Sequence, residues 1–493
     1  MSNLGVKALR IHAHDTVAVA LQPLEAGCRV LEVTLRQPIP QGHKFALCPH
    51  GPGDRVLKYG QPIGRATQEI APGDHVHTQN LATALSGELS YDQGRSGVRQ
   101  AQTLSGPEWR GYRRADGAAA TRNEIWILPT VGCVALTAEE AARAARERHS
   151  GRIDGVHAFT HPHGCSQLGD DLGGTRTLLA GLAANPNAAG VLILGLGCES
   201  NQIEALLEAL PASARAKVRT LVTQQAGDEL AEAGRLIDGM AEEAARAGRQ
   251  ALPLAELCVG LKCGGSDGLS GLTANPLLGR FADRLTAHGG RAILTEIPEI
   301  FGAEQALLDR AVDRQTFDAA AGLINRFKRY YLDQGLPVSE NPSPGNLMGG
   351  ITTLEEKSLG AVQKGGSAPL TDVRDYGQQV GAAGLTLLEA PGNDAVSSTA
   401  LAAAGATMVL FTTGRGTPLG FPVPTVKVAS NQALAQAKPH WIDFDASIAL
   451  EAGHEAADQA FLEHLIDIAS GQPTCAERAG QRAIAIWKRG VTL

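Results

Sequence analysis

The chain has 493 residues, 43% of them apolar and 19% charged, which is the length of roughly three domains and the composition of a folded chain rather than a disordered or coiled-coil one. Aromatic residues make up only 4%, and 44 basic against 51 acidic residues leave a net charge of −7 with no basic block, so base-stacking platforms and nucleic-acid partners are excluded. The N-terminal MSNLGVKALRIHAHD has no continuous apolar stretch and no run approaches the ~18 apolar residues of a membrane span, so a cytoplasmic location without a membrane partner is expected.

Residues 9–80 read as short strands broken by turns (LRIHAHDTVAVAL, CRVLEVTL, HKFALC, DRVLKYGQPIG, IAPGDHVHTQN), the spacing of a small all-β module. Residues 86–110 are polar, rich in Gly, Ser and Gln, and without periodicity, as in a linker. From 111 onward apolar strands alternate with helices. EIWILPTVGCVAL leads into TAEEAARAARERH, where Thr137 and Glu140 have capping-box spacing. GVHAFTH, AGVLILGLG and VRTLVTQQ come next, then the amphipathic DELAEAGRLIDGMAEEAARAGR. A second series comprises ELCVGLKCGG, RAILTEIPE, LTLLEAPGND, TMVLFTTGRG and PTVKVASN. The alternation predicts βαβ units on parallel sheets. The expected organisation is a β domain at 1–85, a linker at 86–110, a middle α/β domain at 111–250 and a C-terminal α/β domain at 251–493.

Several apolar strands end in clusters of Gly with Cys, His, Asp, Glu or Asn: HPHGCSQLGDD, GLGCESNQ, KCGGSDGLSG, APGNDAVSS and TTGRGTPLG. Ligands of open α/β sheets bind at the carboxyl ends of strands, so these clusters mark the expected site. Eight cysteines are too sparse for a disulfide scaffold. Cys133, Cys165, Cys198 and Cys263 lie in or beside such clusters, spaced too widely for a CxxC zinc site but compatible with iron or an iron–sulfur cluster. Cys28, Cys48, Cys258 and Cys475 have no such context. His12, His43, His75 and His77 offer a second metal set in the β module, His75 and His77 sharing a strand face. GLGCES lacks the third glycine of a dinucleotide fingerprint, and GRGTPLG lacks the Lys-Ser/Thr of a P-loop.

Long segments resemble the altronate/galactarate dehydratase family over nearly the whole chain. They include GHKFAL (42–47), KYGQPIG (58–64), RNEIWILPTVGC (122–133), GCSQLGDD (164–171), CGGSDGLSG (263–271), TANPLLGRF (273–281), TEIPEIFGAEQ (295–305), ENPSPGN (340–346), GGITTLEEKSLG (349–360), APGNDAV (390–396), TTGRGTP (412–418) and HWIDFDA (440–446). The resemblance implies an α/β multidomain fold: a small SAF-type (β-clip) domain followed by two α/β domains with parallel, Rossmann-like sheets. It also implies iron-dependent dehydration of a sugar acid. GDHVHTQN and SQLGDD are closer to the altronate branch, while His163, Leu347, Lys262 and Leu419 depart from its pattern.

The implied activity is a hydro-lyase reaction, D-altronate going to 2-dehydro-3-deoxy-D-gluconate and water. A related aldonate or aldarate such as galactarate, sulfite elimination from sulfolactate, and a non-catalytic sugar-acid-binding paralogue are the alternatives. Such a dehydration needs C2 proton abstraction and loss of the C3 hydroxyl, chemistry suited to a metal Lewis acid with a positioned base and acid. His161 is the expected base or acid, with Glu199 and Asp267 as alternates. Arg415 and Lys58 are the expected carboxylate partners, and Asn275, Asn346 and Asn393 the expected hydroxyl partners. Asp170 and Asp171 fit either metal binding or helix capping. The expected cofactor is Fe(II), replaceable by Mn(II), held by His12, His43 and carboxylates or by Cys133, Cys165, Cys198 or Cys263, with an iron–sulfur cluster left open. The expected partner is a small sugar acid, with a homodimer as a compatible assembly.

Overall fold

A computed structural model describes residues 7–92 and 106–492. Its N-terminal part is all β. A four-stranded antiparallel sheet contains Ala8–Leu9, Val17–Ala20, Lys44–Ala46 and His75–Val76, and a three-stranded sheet contains Arg55–Lys58, Gln61–Ala66 and Leu81–Ala82. Val17–Ala20 is buried at every position, because this small module packs one face on its own core and the other on the rest of the chain.

The middle and C-terminal parts are built on two parallel sheets, whose strands are numbered here. The middle sheet contains β1 (Glu124–Pro129), β2 (Gly155–Ala158), β3 (Ala188–Gly195) and β4 (Val218–Val222) in the order β2-β1-β3-β4. The C-terminal sheet contains β5 (Cys258–Cys263), β6 (Arg291–Leu294), β7 (Leu370–Arg374), β8 (Gly384–Leu388), β9 (Met408–Thr413), β10 (Thr425–Ala429) and β11 (Phe444–Asp445). Its order is β7-β8-β6-β5-β9-β10-β11, parallel throughout. Strands β5 and β9 are buried at all six positions, as strands covered on both faces must be, which is why they read as mainly apolar runs, broken by Lys262 in β5 and by Thr412 and Thr413 in β9. The strand order reverses between β1 and β3 in the middle sheet and between β5 and β9 in the C-terminal one. Each reversal opens a crevice at the strands' carboxyl ends.

Two features differ from the sequence reading. The expected linker falls largely on 93–105, outside the described residues, but its last residues open the strand Glu108–Arg113, which pairs with Gln250–Pro253. The helix expected to start at a Thr137 capping box starts instead at Ala135, after a 3-10 turn over Gly132–Val134, and no side chain caps it. Thr137 therefore lies inside the first turn. Among the described residues no helix is long and apolar enough to cross a membrane.

The parts are joined by buried polar contacts. Thr121 donates to the Thr407 carbonyl (2.7 Å), Asn185 to that of Ala402 (2.7 Å), and Arg122 pairs with Glu477 (2.8 Å). Helix Asp394–Ala403 packs on helix Gly169–Ala184, and the chain's end returns to the middle domain, where Asp171 accepts from the Arg489 and Gly490 amides. The described start of the linker lies on helix Arg314–Asp333 through the Glu88–Arg329 pair.

Candidate functional site

The β module docks on the C-terminal domain beside the β5–β9 crevice. Helix Leu354–Ala361 presents Glu356, fully buried, to two buried lysines: Lys44 at 2.7 Å and Lys58 at 2.8 Å. Burial alone would raise the Glu356 carboxyl, but the two ammonium groups outweigh it and hold the pKa down to about 2. Lys44 also donates to Thr352 Oγ1 (2.6 Å), and Glu355 accepts from the Ala84 amide (2.7 Å). The backbones meet closely: a Cβ on Gly268 would lie 1.9 Å from the Gly42 carbonyl oxygen, and one on Gly350 2.5 Å from it, so only glycine fits.

This docking brings His43, His75 and His77 together at the junction, their ring centroids 5.1, 5.2 and 5.4 Å apart. The strand ends at Val76, so His77 lies just beyond it, yet the His75 and His77 rings stack on one side. His43 Nε2 donates to the Met348 carbonyl (3.2 Å) and His77 Nε2 to the Leu347 carbonyl (2.9 Å), which fixes the tautomers and leaves both Nδ1 atoms as acceptors. His75 Nε2 faces His43 Nδ1 at 3.0 Å. Burial lowers the pKa of all three, to about 4 for His75, so the imidazoles are neutral at neutral pH. His12 lies apart, its ring edge-on to His14 at 5.0 Å and its amide donating to Asp15.

Asp267, in the loop after β5, connects this triad to the crevice. A Cβ on Gly349, one residue beyond Met348, would be 3.0 Å from Asp267 Cβ, and one on Gly414 2.3 Å from its Cγ. Asp267 Oδ1 accepts from the Ser270 amide and hydroxyl and from the Ser430 hydroxyl (each 2.8 Å), whereas among the described residues Oδ2 accepts only from Asn431 (3.0 Å). Arg415, on the loop after β9, is exposed and packs beside Gly265. Its backbone amide is anchored by Thr413, and its guanidinium has no partner among the described residues.

Below this rim lies a closed ionic network. Lys262 bridges Glu296 and Asp394, Lys364 pairs with Glu296 (3.0 Å), and Lys357 with Glu299 (2.8 Å). Cys263 donates to Glu299 (3.1 Å) and lies 2.8 Å from Lys364 Nζ. Burial and the two glutamates push the Cys263 thiol up to about 12. Burial would raise Glu299, but Lys357, Lys262 and Lys364 outweigh it and hold it down to about 2. Cys263, Glu296 and Glu299 present one ligand atom each within 4.8 Å of one another. That spacing suits a metal ion, yet three ammonium groups already neutralise these ligands, so a divalent cation does not fit here.

The remaining expected residues divide between structural roles and a second place. Lys58 is committed to Glu356. Asn275 bridges Gly360 and Thr412, Asn346 donates to Ser266, and Asn393 caps helix Asp394–Ala403. His161 and Glu199 belong to the middle domain. His161 is buried with Nε2 donating to Pro129 (2.9 Å) and Nδ1 accepting from the His163 amide (3.2 Å), and burial lowers its pKa to about 4. Glu199 accepts from Thr130 and from the Leu196 and Gly197 amides. Burial works to raise its carboxyl, and these hydrogen bonds lower it below the usual range. Cys133, Cys165 and Cys198 are exposed in that same middle-domain region, while Cys263 is buried in the other domain.

Sequence reasoning passes over Lys44, Glu296, Glu299, Glu356, Lys357 and Lys364. Most of them lie in segments that stand out in the sequence, but a helix reading LEEK is normally a solvated face; here Leu354–Lys357 is buried throughout.

Carboxylate, hydroxyl, amide and imidazole groups thus gather where the β module docks beside the β5–β9 crevice. Three family models match in order: altronate/galactarate dehydratase SAF domain over 6–84, D-galactarate dehydratase/altronate hydrolase second domain over 111–245, and D-galactarate/altronate dehydratase C-terminal over 254–492. The chain belongs to the altronate/galactarate dehydratase family, a family of hydro-lyases. It is 49% identical over 500 residues to the altronate dehydratase of Escherichia coli (strain K12), covering 98% of this chain and 99% of that one. Identity to the altronate dehydratase of Bacillus subtilis (strain 168) is 46% over 494 residues, with the same shares covered. The galactarate dehydratase (L-threo-forming) of Escherichia coli (strain K12) is 30% identical over 501 residues, covering 94% of this chain and 93% of that one.

Proposed function

We propose that this chain dehydrates D-altronate to 2-dehydro-3-deoxy-D-gluconate at the junction of the β module and the C-terminal crevice. The observation that carries the reading is the junction itself: three neutral imidazoles and a carboxylate with an available oxygen lie there, with Arg415, whose guanidinium has no partner among the described residues, on the adjoining loop beside Gly265. The full-length identity to two altronate dehydratases supports the choice of aldonate. The reading divides the chain into 1–85, a linker at 86–110, 111–250 and 251–493, a division the family matches support.

Arg415 binds the substrate carboxylate through its planar fork. Asp267 Oδ2 takes the C2 proton. The electron pair left on C2 forms the C2–C3 double bond as the C3–O bond breaks, and the proton now on Asp267 returns to the departing hydroxyl as water. The enol tautomerises to the 2-keto acid. His161 and Glu199 hold the middle-domain loops instead of serving as acid and base.

Fe(II) fits the histidine triad. His43 and His77 donate their outer N–H groups to backbone carbonyls and keep Nδ1 unprotonated, the support that metal-binding imidazoles use; those Nδ1 atoms now face His75 Nε2 (3.0 Å) and Thr78 Oγ1 (3.2 Å), contacts a metal would replace, and nitrogen donors suit ferrous iron. Bound there with His75, it would supply Lewis-acid stabilisation of the enediolate charge. Leu347 contributes only its carbonyl to this support, so its departure from the altronate pattern leaves the imidazole contacts intact.

The test is 2-keto acid formation from D-altronate by reduced, anaerobic protein with added Fe(II), run beside galactarate and beside sulfite release from sulfolactate. Product from altronate is expected. Arg415→Ala should raise KM about 10- to 100-fold, the range set by one charged hydrogen-bonded contact. Absence of product from altronate, with turnover of another acid or none, would overturn the assignment.

A further inference from the structure

The crevice of the middle sheet has no part in that reaction, yet it gathers three exposed thiols. We propose that the middle domain binds an iron–sulfur cluster through Cys133, Cys165 and Cys198, leaving one cluster iron without a cysteine ligand. The proposal does not rest on the altronate reading.

The three cysteines come after β1, β2 and β3, the strands around the reversal point, where ligands of such sheets bind. Their loops are locked to one another next to each cysteine. The Gly132 amide donates to the His163 carbonyl (2.9 Å), and the Asn201 amide to the Gly164 carbonyl (2.9 Å). Asn201 Nδ2 reaches the Thr130 carbonyl (3.2 Å), and Glu199 accepts from Thr130 Oγ1. A Cβ on Gly164 would lie 2.0 Å from the Thr130 oxygen, so the loops touch backbone to backbone. Ser166 is held at φ 56°, a left-handed backbone beside Cys165 that a non-glycine residue adopts only under constraint.

Exposure sets these thiols apart. Cysteine is among the most buried residue types, and here Cys28, Cys48, Cys258, Cys263 and Cys475 are buried or partly buried whereas these three are exposed. The only hydrogen bond among their sulfurs in the described residues is from Gln224 Nε2 to Cys198, at 3.5 Å. Two neighbouring helices start just beyond Cys133 and Cys165, Ala135–Arg148 and Gly169–Ala184, and neither has a side-chain cap. Their first-turn amides favour negative charge nearby, as an anionic thiolate-ligated cluster carries.

A single ion is the weaker fit. One metal draws thiolates to within about 2.3 Å of itself, and these three sulfurs do not all lie within 4.8 Å of one another, unlike the ligand atoms of Cys263, Glu296 and Glu299. A cluster, being larger, takes thiolates from more widely spaced loops. On binding, each thiol gives up its proton to solvent and its sulfur bonds to a cluster iron.

The full-length protein, purified anaerobically, should contain about four iron and four acid-labile sulfide per chain beyond what a chelator removes. It should also show a broad absorption band near the visible–ultraviolet boundary that bleaches on reduction. Replacing Cys133, Cys165 or Cys198 by Ala should remove sulfide and band while the circular dichroism stays unchanged; Cys48→Ala should keep both. Cys→Ser variants at the same three positions repeat the test should an Ala variant be insoluble. Iron without labile sulfide, zinc in its place, a disulfide among the three, or a cluster that survives their joint replacement would each overturn the proposal.

Discussion

The crevice at the carboxyl end of the middle sheet and the one at the carboxyl end of the C-terminal sheet share a topology and differ in chemistry. Both open where strand order reverses, between β1 and β3 and between β5 and β9. The first is a bare rim of thiols on backbone-locked loops. The second sits over a closed network of lysines and acids and is roofed by the β module. The difference lies in the loops that leave each sheet: the middle loops are stitched by their own amides and carbonyls, whereas the C-terminal loops are fixed by charged side chains from distant segments. Preorganisation by buried charge suits a site that must hold an anionic polyol in one pose, and preorganisation by backbone leaves side chains free to ligate.

The sharpest way to break the comparison is at the roof. Glu356→Gln leaves Lys44 and Lys58 buried without their counter-charge, a loss of about 3–5 kcal/mol for a broken buried pair. The first thermal transition should fall and dehydration should cease, while the middle-domain loops keep their protease resistance. An unchanged first transition would mean the β module is held by other contacts.

Acid should act in the same direction with a smaller effect. Glu356 has a folded pKa of about 2, below the ordinary carboxylate value, so its contribution is complete above the unfolded pKa and is lost as pH falls toward the folded one. Burial opposes the charge of Glu299 too, and Lys357, Lys262 and Lys364 hold its pKa to about 2. Stability measured by denaturant titration from pH 5 down to pH 2 should therefore decline progressively in the C-terminal half; a flat profile would contradict the buried-charge account.

Much of this is legible in the sequence because it is local. The runs Cys258–Cys263 and Met408–Thr413, apolar at nearly every position, announce buried parallel strands, and the Gly-rich clusters after them announce the crevices. Long-range pairing is not legible. Residues 108–110, the start of the strand Glu108–Arg113, look like linker because the strand partner, Gln250–Pro253, lies far along the chain. Lys44 goes unremarked and Lys58 looks like a partner for a substrate carboxylate, because the carboxylate that neutralises both is 312 and 298 residues away. Thr137 resembles a cap, but the turn at Gly132–Val134 starts the helix earlier. His161 looks like a base since its type and place in the motif fit, and only the structure reveals that both its nitrogens are taken up by backbone.

The division of labour between the two crevices can be tested by amide hydrogen exchange of the whole chain with and without D-altronate. The account predicts slowed exchange at 42–44, 264–270, 347–351 and 413–416, with 131–133, 163–166 and 196–200 unchanged. Protection confined to the three cysteine loops would contradict it and move the sugar-acid site to the middle domain.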